Sequence, residues 1–273
     1  MSLNEQVREH ALTTVENVPK VFLAGKAKGH EQGVADGISQ GIEQGRQAGY
    51  DAMWDMLQAN GARTTYSWFF GNANIVGEIR PKYEIKPSTS LGQMCINNYN
   101  LTKFYNWGFP TSGVTSCLSA FANCNNFLGF VDENGEVIKG KSFFGNGVTD
   151  YRYCFQNNYK IEYICIDVTS HAQLYSGVFQ NCHELKELKI IGEIKDGGLD
   201  LHWSTKLSKA SLDGILGALS STTNGLVVTL SQTAVDNAYA VYDEEGNLVF
   251  PGSASPEFQG WANVHPNWTI TLK

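Results

Sequence analysis

The chain has 273 residues, 17% of them charged, with a formal net charge of −7 and a pI near 5.4. An acidic chain lacks the basic face that nucleic-acid binding needs, so we expect no nucleic-acid partner. The length exceeds that of a typical single domain and suits a helical segment followed by a repeat array.

Residues 1–60 are predicted to form an N-terminal helical assembly segment. A short amphipathic helix is expected over residues 3–17, before Pro19, and a long helix over residues 19–59 that ends at an Asn-Gly C-cap. The first residues carry neither a basic stretch nor an apolar core. We therefore predict no secretory signal peptide and synthesis in the cytoplasm.

A glycine recurs at every fourth position of the long predicted helix. The seven glycines of this ladder are Gly25, Gly29, Gly33, Gly37, Gly41, Gly45 and Gly49. Residues four apart lie on one helix face, so the ladder forms a smooth stripe beside Val34, Ile38 and Ile42. Each interior glycine costs about 1 kcal/mol relative to alanine, and close packing of two helix backbones along the stripe would offset that cost.

The glycine ladder is therefore predicted to mediate homo-oligomerisation or docking on another protein. Charged residues within the same helix, among them Lys26, Glu31 and Asp36, exclude a membrane span. The alternative is a flexible linker of repetitive composition.

Residues 61–90 form an aromatic connector, and residues 91–205 carry an internal repeat. In the repeat an aromatic residue is followed, at three-residue steps, by Cys or Asn and then by two apolar residues. The clear copies are Phe121-Cys124-Phe127-Phe130, Phe155-Asn158-Ile161-Ile164 and Phe179-Cys182-Leu185-Leu188, and the looser ones are Cys95-Asn98-Leu101-Phe104 and Leu201-Ser204-Leu207-Ala210. A phrase that recurs in this way is typical of a solenoid, which presents a surface.

Stacking of successive solenoid turns should place equivalent residues in columns. Phe121, Phe155 and Phe179 would form one buried column, and the two later apolar positions would form two more. The Cys or Asn would lie at a tight inner corner, as a small buried thiol or as an amide that hydrogen-bonds the backbone. Short strands are expected over residues 161–166 and 185–190. The alternative is chance spacing in an ordinary β-rich domain.

Residues 206–273 are predicted to close the open end of the solenoid as an α/β cap. The expected elements are a helix from Ser208 to Leu219, a strand over 226–230, a helix from Thr233, a hairpin turn at 245–247 and a strand over 268–272.

Several stretches together resemble the irregular leucine-rich repeats of the BspA-like type. These are FANCNNFLGF, FQNNYKIEYI and FQNCHELKEL. The opening GYDAMWDMLQANGARTTYSWFFGN and the tail LSKASLDGILGALSSTTNGLVVTLS with NWTITL are similar to that group as found in phages and prophages of gut bacteria. The resemblance implies a β-solenoid with surface-binding duties and no catalytic residues or cofactor. The predicted fold class is α+β: a Gly-laddered helix, a leucine-rich-repeat β-solenoid and an α/β cap.

Six cysteines are predicted to be reduced packing residues. None forms Cys-x-x-Cys and no histidine cluster accompanies them, so we expect no zinc site. His183-Glu184 lacks the second histidine of a metalloprotease motif, no Gly-x-Ser-x-Gly elbow occurs, and we predict no P-loop at Gly140-Lys141-Ser142.

Two functional classes remain. The first is a structural and host-recognition protein of a phage tail, released at lysis, whose helix binds itself or other virion proteins and whose solenoid binds a host surface protein or glycan. The second is a cellular BspA-like adhesin or adaptor, and a glycan-active enzyme is a distant third. The candidate contact residues are Tyr99, Tyr105, Trp107, Phe109, Tyr151, Tyr153 and Tyr163, since exposed aromatics beside amides suit glycans and proteins.

Overall fold

A computed structural model of the chain describes residues 70–80, 89–106, 113–174, 177–195 and 198–273, together with Gly41, Gln44, Gly45 and Ala48. Those last four residues are helical. The remaining glycines of the ladder lie outside the described residues, so the long helix and its part in assembly stay predictions. The chain divides into two compact units, residues 1–62 with 81–86 and residues 63–80 with 87–273.

The second unit is a β-solenoid of about five turns, as the repeat predicted. Backbone amides join each turn to the next at the first repeat position. The N–H groups of Phe70 and Cys95 donate to the carbonyls of Met94 and Ala120, both at 2.7 Å, and the same bonds recur in the following turns. The solenoid therefore already includes Phe70, which lies in the stretch that the sequence analysis treated as a connector.

Each of the five turns contributes one short strand, and these strands form two parallel sheets. The strands are β1 (Gly77–Ile79), β2 (Leu101–Tyr105), β3 (Gly129–Val131), β4 (Tyr163–Asp167) and β5 (Glu187–Ile191). β1, β2 and β3 form one sheet and β4 pairs with β5 in another. The registers place Phe104 opposite Phe130 and Ile164 opposite Leu188, which are the last positions of their repeat copies.

The predicted aromatic column runs through the core. Phe121 stacks on Phe155 with ring centroids 6.4 Å apart, and Phe155 stacks on Phe179 at 5.9 Å. All three rings are fully buried, as are the residues of the next column, Phe127, Ile161 and Leu185. The three-residue spacing therefore assigned the inward-facing side chains of the three clear copies correctly, whereas Ala210, the last position of the copy that begins at Leu201, is exposed.

The Cys or Asn of each copy lies at an inner corner, as predicted, and donates to a backbone carbonyl of the preceding turn. Asn98 and Asn158 donate from Nδ2 to the carbonyls of Phe70 and Phe121 at 2.7 and 2.8 Å. Cys124 occupies the same position with a thiol, whose Sγ lies 3.1 Å from the carbonyl of Cys95. One polar atom at a fixed position therefore satisfies a backbone group that the corner buries.

An insertion explains why the third turn is the longest. After β3 the chain makes a tight turn at residues 132–135 and returns alongside β3, with Val131 opposite Val137. Phe143 then re-enters the core and stacks on Phe130 with centroids 4.0 Å apart. This excursion lies between β3 and β4, which are not paired with each other in the described part of the chain.

The C-terminal part contains the predicted elements and two that were not predicted. They are β6 (Leu199–Leu201), α1 (Lys209–Gly217), β7 (Leu226–Leu230), α2 (Gln232–Ala238), β8 (Val241–Tyr242), β9 (Leu248–Phe250), α3 (Pro256–Val264) and β10 (Trp268–Leu272). The unpredicted ones are β6 and α3. The side chains of Ser208, Ser231 and Ser255 cap the three helices by accepting a backbone N–H.

Helix α1 covers the outer edge of β5. The Ser211 hydroxyl accepts from the N–H of Leu188 at 2.9 Å and donates to its carbonyl at 3.3 Å. The edge groups of β5 thus find a side-chain partner in place of another strand. β6, β7 and β10 form a separate parallel sheet in the order β10-β7-β6.

Candidate functional site

The surface of the solenoid carries a ladder of asparagines, which stand two residues after the first repeat position in five successive turns. Its members, the asparagine ladder, are Asn72, Asn97, Asn123, Asn157 and Asn181. From Asn97 onwards, each donates from Nδ2 to Oδ1 of the asparagine in the preceding turn, at distances of 2.7, 2.6, 2.5 and 2.7 Å. All five have φ between 56° and 62°. Asparagine suits this place because it tolerates the left-handed region and carries both a donor and an acceptor.

A second left-handed position precedes the asparagine ladder by four residues in each turn. It is occupied by Gln93, Ser119, Tyr153 and Gly177. A Cβ on Gly177 would come within 2.6 Å of the Tyr153 ring. Tyr153 therefore lies against the following turn, although 43% of its surface remains exposed.

Directly after the inner corner, each turn places one residue at an equivalent position near the surface. Tyr99, Asn125, Tyr159 and His183 stand at this position in successive turns, and we call them the corner ridge. Tyr99 is 48% exposed and Tyr159 is 38% exposed. The Tyr159 ring stacks on the His183 ring with centroids 5.8 Å apart and an interplanar angle of 20°. The ridge therefore runs across four turns of the solenoid.

The polar groups of the corner ridge are largely unused within the described structure. The hydroxyls of Tyr99 and Tyr159 and the carboxamide of Asn125 make no hydrogen bond to any described residue. Beside them, Asn126 donates from Nδ2 to the carbonyl of Tyr99 at 3.0 Å, which orders the backbone of the ridge. The ridge thus combines two exposed ring faces with free donors and acceptors.

Charged side chains flank only the C-terminal half of the ridge. There Lys206 contacts Glu184 at 2.6 Å and Lys186 contacts Glu162 at 2.9 Å. Exposed ion pairs of this kind add little stability. Lys160, next to Tyr159, is a further exposed cation on that face.

The structure separates the predicted contact residues. Tyr99 and Tyr153 are exposed, at different positions of their turns, whereas Tyr105, Tyr151 and Tyr163 are 4%, 0% and 8% exposed. Trp107 and Phe109 lie outside the described residues. No observation tests binding by any of them, but the three buried rings offer no surface to a partner.

The three buried tyrosines have structural partners that explain their position. Tyr151 donates from its hydroxyl to the carbonyl of Asp167 at 3.1 Å, and burial raises its pKa well above the usual value. The hydroxyl of Tyr163 accepts from the N–H of Gly140 at 2.7 Å. Arg80 lies over the ring of Tyr105, 3.8 Å from its centroid.

The six cysteines all lie among the described residues, and each is a buried free thiol, as predicted. Burial raises the pKa of Cys182 to about 12 and the pKa of Cys95 well above its usual value. A neutral buried thiol is a poor nucleophile and a poor metal ligand. Among the described residues no group of three or more His, Cys, Asp or Glu side chains could hold a metal ion.

Residues 135–142 read Gly-Glu-Val-Ile-Lys-Gly-Lys-Ser, which matches the letters of a P-loop. Spacing alone therefore does not exclude a P-loop here, but the local structure does not form one. A P-loop links a strand to a helix, whereas this segment is the returning arm of the insertion and residues 143–150 contain no helix. Its glycine at position 140 donates to Tyr163 instead.

The described part of the chain contains no helix that is long and apolar enough to cross a membrane. No protein-family model, curated protein or solved structure matches the chain.

Proposed function

We propose that the protein is a non-enzymatic structural and host-recognition protein associated with a phage tail. Its N-terminal segment docks on other virion proteins or on further copies of the chain, and its solenoid binds a receptor on the host surface. The resemblance of the repeats and of both ends of the chain to phage-borne proteins of BspA-like type supports this assignment.

The observation that carries the proposal is the corner ridge. Solenoid stability comes from the buried columns and the asparagine ladder, so exposed side chains such as Tyr99 and Tyr159 are free to serve binding. Large aromatic side chains with unused hydroxyls are the residues that dominate binding energy at recognition surfaces. The scaffold holds them in a fixed row across successive turns.

Fractionation of an induced lysate tests the virion assignment. Prophage would be induced in the strain that carries the gene, particles would be banded by density, and an antibody against the chain would probe the fractions. We expect the protein in intact particles and in tail fractions. Its absence from particles, with recovery in the envelope of uninduced cells, would instead establish a cellular adhesin.

Competition for adsorption tests the recognition role. Purified full-length chain, added to susceptible cells before the phage, should reduce particle adsorption by occupying the receptor. A Tyr99→Ala, Tyr159→Ala double variant should compete poorly, whereas Tyr242→Ala, which removes an exposed ring from the β8–β9 hairpin, should compete like the wild type. Equal competition by all three proteins would refute a receptor-binding role for the ridge.

A further inference from the structure

We propose that the corner ridge binds a neutral oligosaccharide, with one sugar ring held between Tyr99 and Tyr159 above Asn125. This inference rests on the proposed recognition function and specifies the chemical class of the receptor. The recess at Asn125, flanked by the two tyrosines, is called the Asn125 notch.

The spacing of the turns gives the notch its width. Asn97, Asn123 and Asn157 hydrogen-bond in sequence, so the turns that carry Tyr99, Asn125 and Tyr159 are stacked without a gap at this corner. Successive turns of a solenoid are about 4.8 Å apart, so Tyr99 and Tyr159, which are two turns apart, lie about 10 Å from each other. A ring in contact with both faces needs 3.5–4.0 Å on each side, which leaves about 2 Å for the puckered thickness of a sugar ring.

The orientation of Tyr159 supports the same reading. One face of its ring stacks on His183 of the following turn at an interplanar angle of 20°. The opposite face therefore points towards the preceding turn, where Asn125 stands. Because asparagine is much shorter than tyrosine, that face is left uncovered.

The polar chemistry of the notch matches sugar hydroxyls. The Asn125 carboxamide has no hydrogen-bond partner in the described structure, so it offers both donors and acceptors at the floor of the notch. Asn123, two residues earlier, differs in this respect because its amide is engaged in the asparagine ladder on both sides. An amide between two aromatic faces suits a ligand that alternates C–H faces with hydroxyl groups.

The electrostatics favour an uncharged ligand. The stretches Tyr99-Asn100 and Asn125-Asn126 carry no charge, and Glu162 and Glu184 are already paired with lysines. The charged residue that remains is Lys160, which is exposed next to Tyr159. At these repeat positions an acidic glycan would meet a single lysine, Lys160, whose charge is partly offset by Glu184. We therefore expect neutral hexose and N-acetylhexosamine oligosaccharides to bind in preference to acidic ones.

The test is binding of the full-length chain to an array of defined neutral and acidic oligosaccharides, followed by titration of the best neutral ligand. Loss of one stacking ring in Tyr99→Ala or Tyr159→Ala should weaken binding by about 2- to 12-fold. Asn125→Trp should abolish binding because an indole fills the notch. Tyr242→Ala is the matched control and should bind like the wild type.

Thermal melts of every variant check that each one is folded. The three replaced tyrosines are exposed, and Asn125 is half-buried but makes no hydrogen bond to a described residue, so we expect no change in the melting temperature. An array without a neutral ligand, or binding that Asn125→Trp leaves intact, would overturn the inference. If the array stays blank while the purified chain still blocks phage adsorption, the sugar assignment fails and the recognition function stands. Particles that lack the protein would instead count against the proposed function alone.

Discussion

Replacement of Asn123 by alanine should remove one rung of the asparagine ladder. Asn123 donates to Asn97 at 2.6 Å and accepts from Asn157 at 2.5 Å, with φ at 61°. Two lost hydrogen bonds at about 0.5–1.5 kcal/mol each, with about 1 kcal/mol for alanine in the left-handed region, give a loss of about 2–4 kcal/mol. Urea unfolding followed by circular dichroism should show a lower midpoint at an unchanged slope.

Two further variants show whether the ladder itself is responsible. Asn125→Ala, two residues along, removes an amide that bonds to no described residue and should change the free energy of unfolding by less than about 0.5 kcal/mol. Asn123→Asp keeps the acceptor for Asn157 but offers Asn97 an acceptor in place of a donor. Protonation of the new carboxyl restores a donor. The loss in free energy of unfolding of Asn123→Asp, relative to the wild type, should therefore become smaller as the pH falls from about 7 to about 4. Equal stability of Asn123→Ala and Asn125→Ala would refute the reasoning.

The core, the thiols and the glycine ladder give three more predictions. Phe155→Ala and Phe179→Ala should each lower the free energy of unfolding by about 3–5 kcal/mol in chemical denaturation, and a loss below about 1 kcal/mol would remove the stacked column from the account. The six buried cysteines should react with a thiol reagent only after unfolding, and a disulfide found by mass spectrometry would contradict this. In sedimentation, the chain should self-associate, and leucine at Gly33, Gly37 and Gly41 should break the assembly while the solenoid stays folded. Alanine at those glycines should raise helicity yet weaken association, and a wild type that is monomeric at all concentrations would exclude self-association through the ladder.

The buried columns could be predicted because a three-residue step, kept in three copies, marks the inward side of an irregular turn. The corner position was predictable too, since Cys and Asn share only small size and the ability to donate to a carbonyl. The C-terminal helices that begin at Ser208 and Ser231 carry ordinary capping signals. In each case a local physical requirement restricts the residue type.

The orientation of single aromatics could not be predicted in the same way. In turns that contain left-handed residues, side chains do not alternate between inward and outward positions as they do along a strand. The local sequence therefore did not indicate that Tyr99 is exposed and Tyr151 is buried. The asparagine ladder was also missed, although an Asn stands two residues after the first position in four of the five copies, as in Phe155 to Asn157. The ladder depends on hydrogen bonds between asparagines at the same position of successive turns. Those asparagines are far apart in the sequence and come together only when the turns stack.

The asparagine ladder also determines where this protein can acquire new sequence. Its rungs are separated by 25, 26, 34 and 24 residues, yet the bonds between them differ in length by only 0.2 Å. The distance between successive turns is thus constant at the corner that carries the asparagine ladder. The side of the turns that carries the strands accommodates the insertion between β3 and β4. Insertions and deletions on that side change the outline of a turn without shifting its neighbours. The corner ridge, which is adjacent to the ladder, keeps its spacing while the rest of the surface is free to diverge.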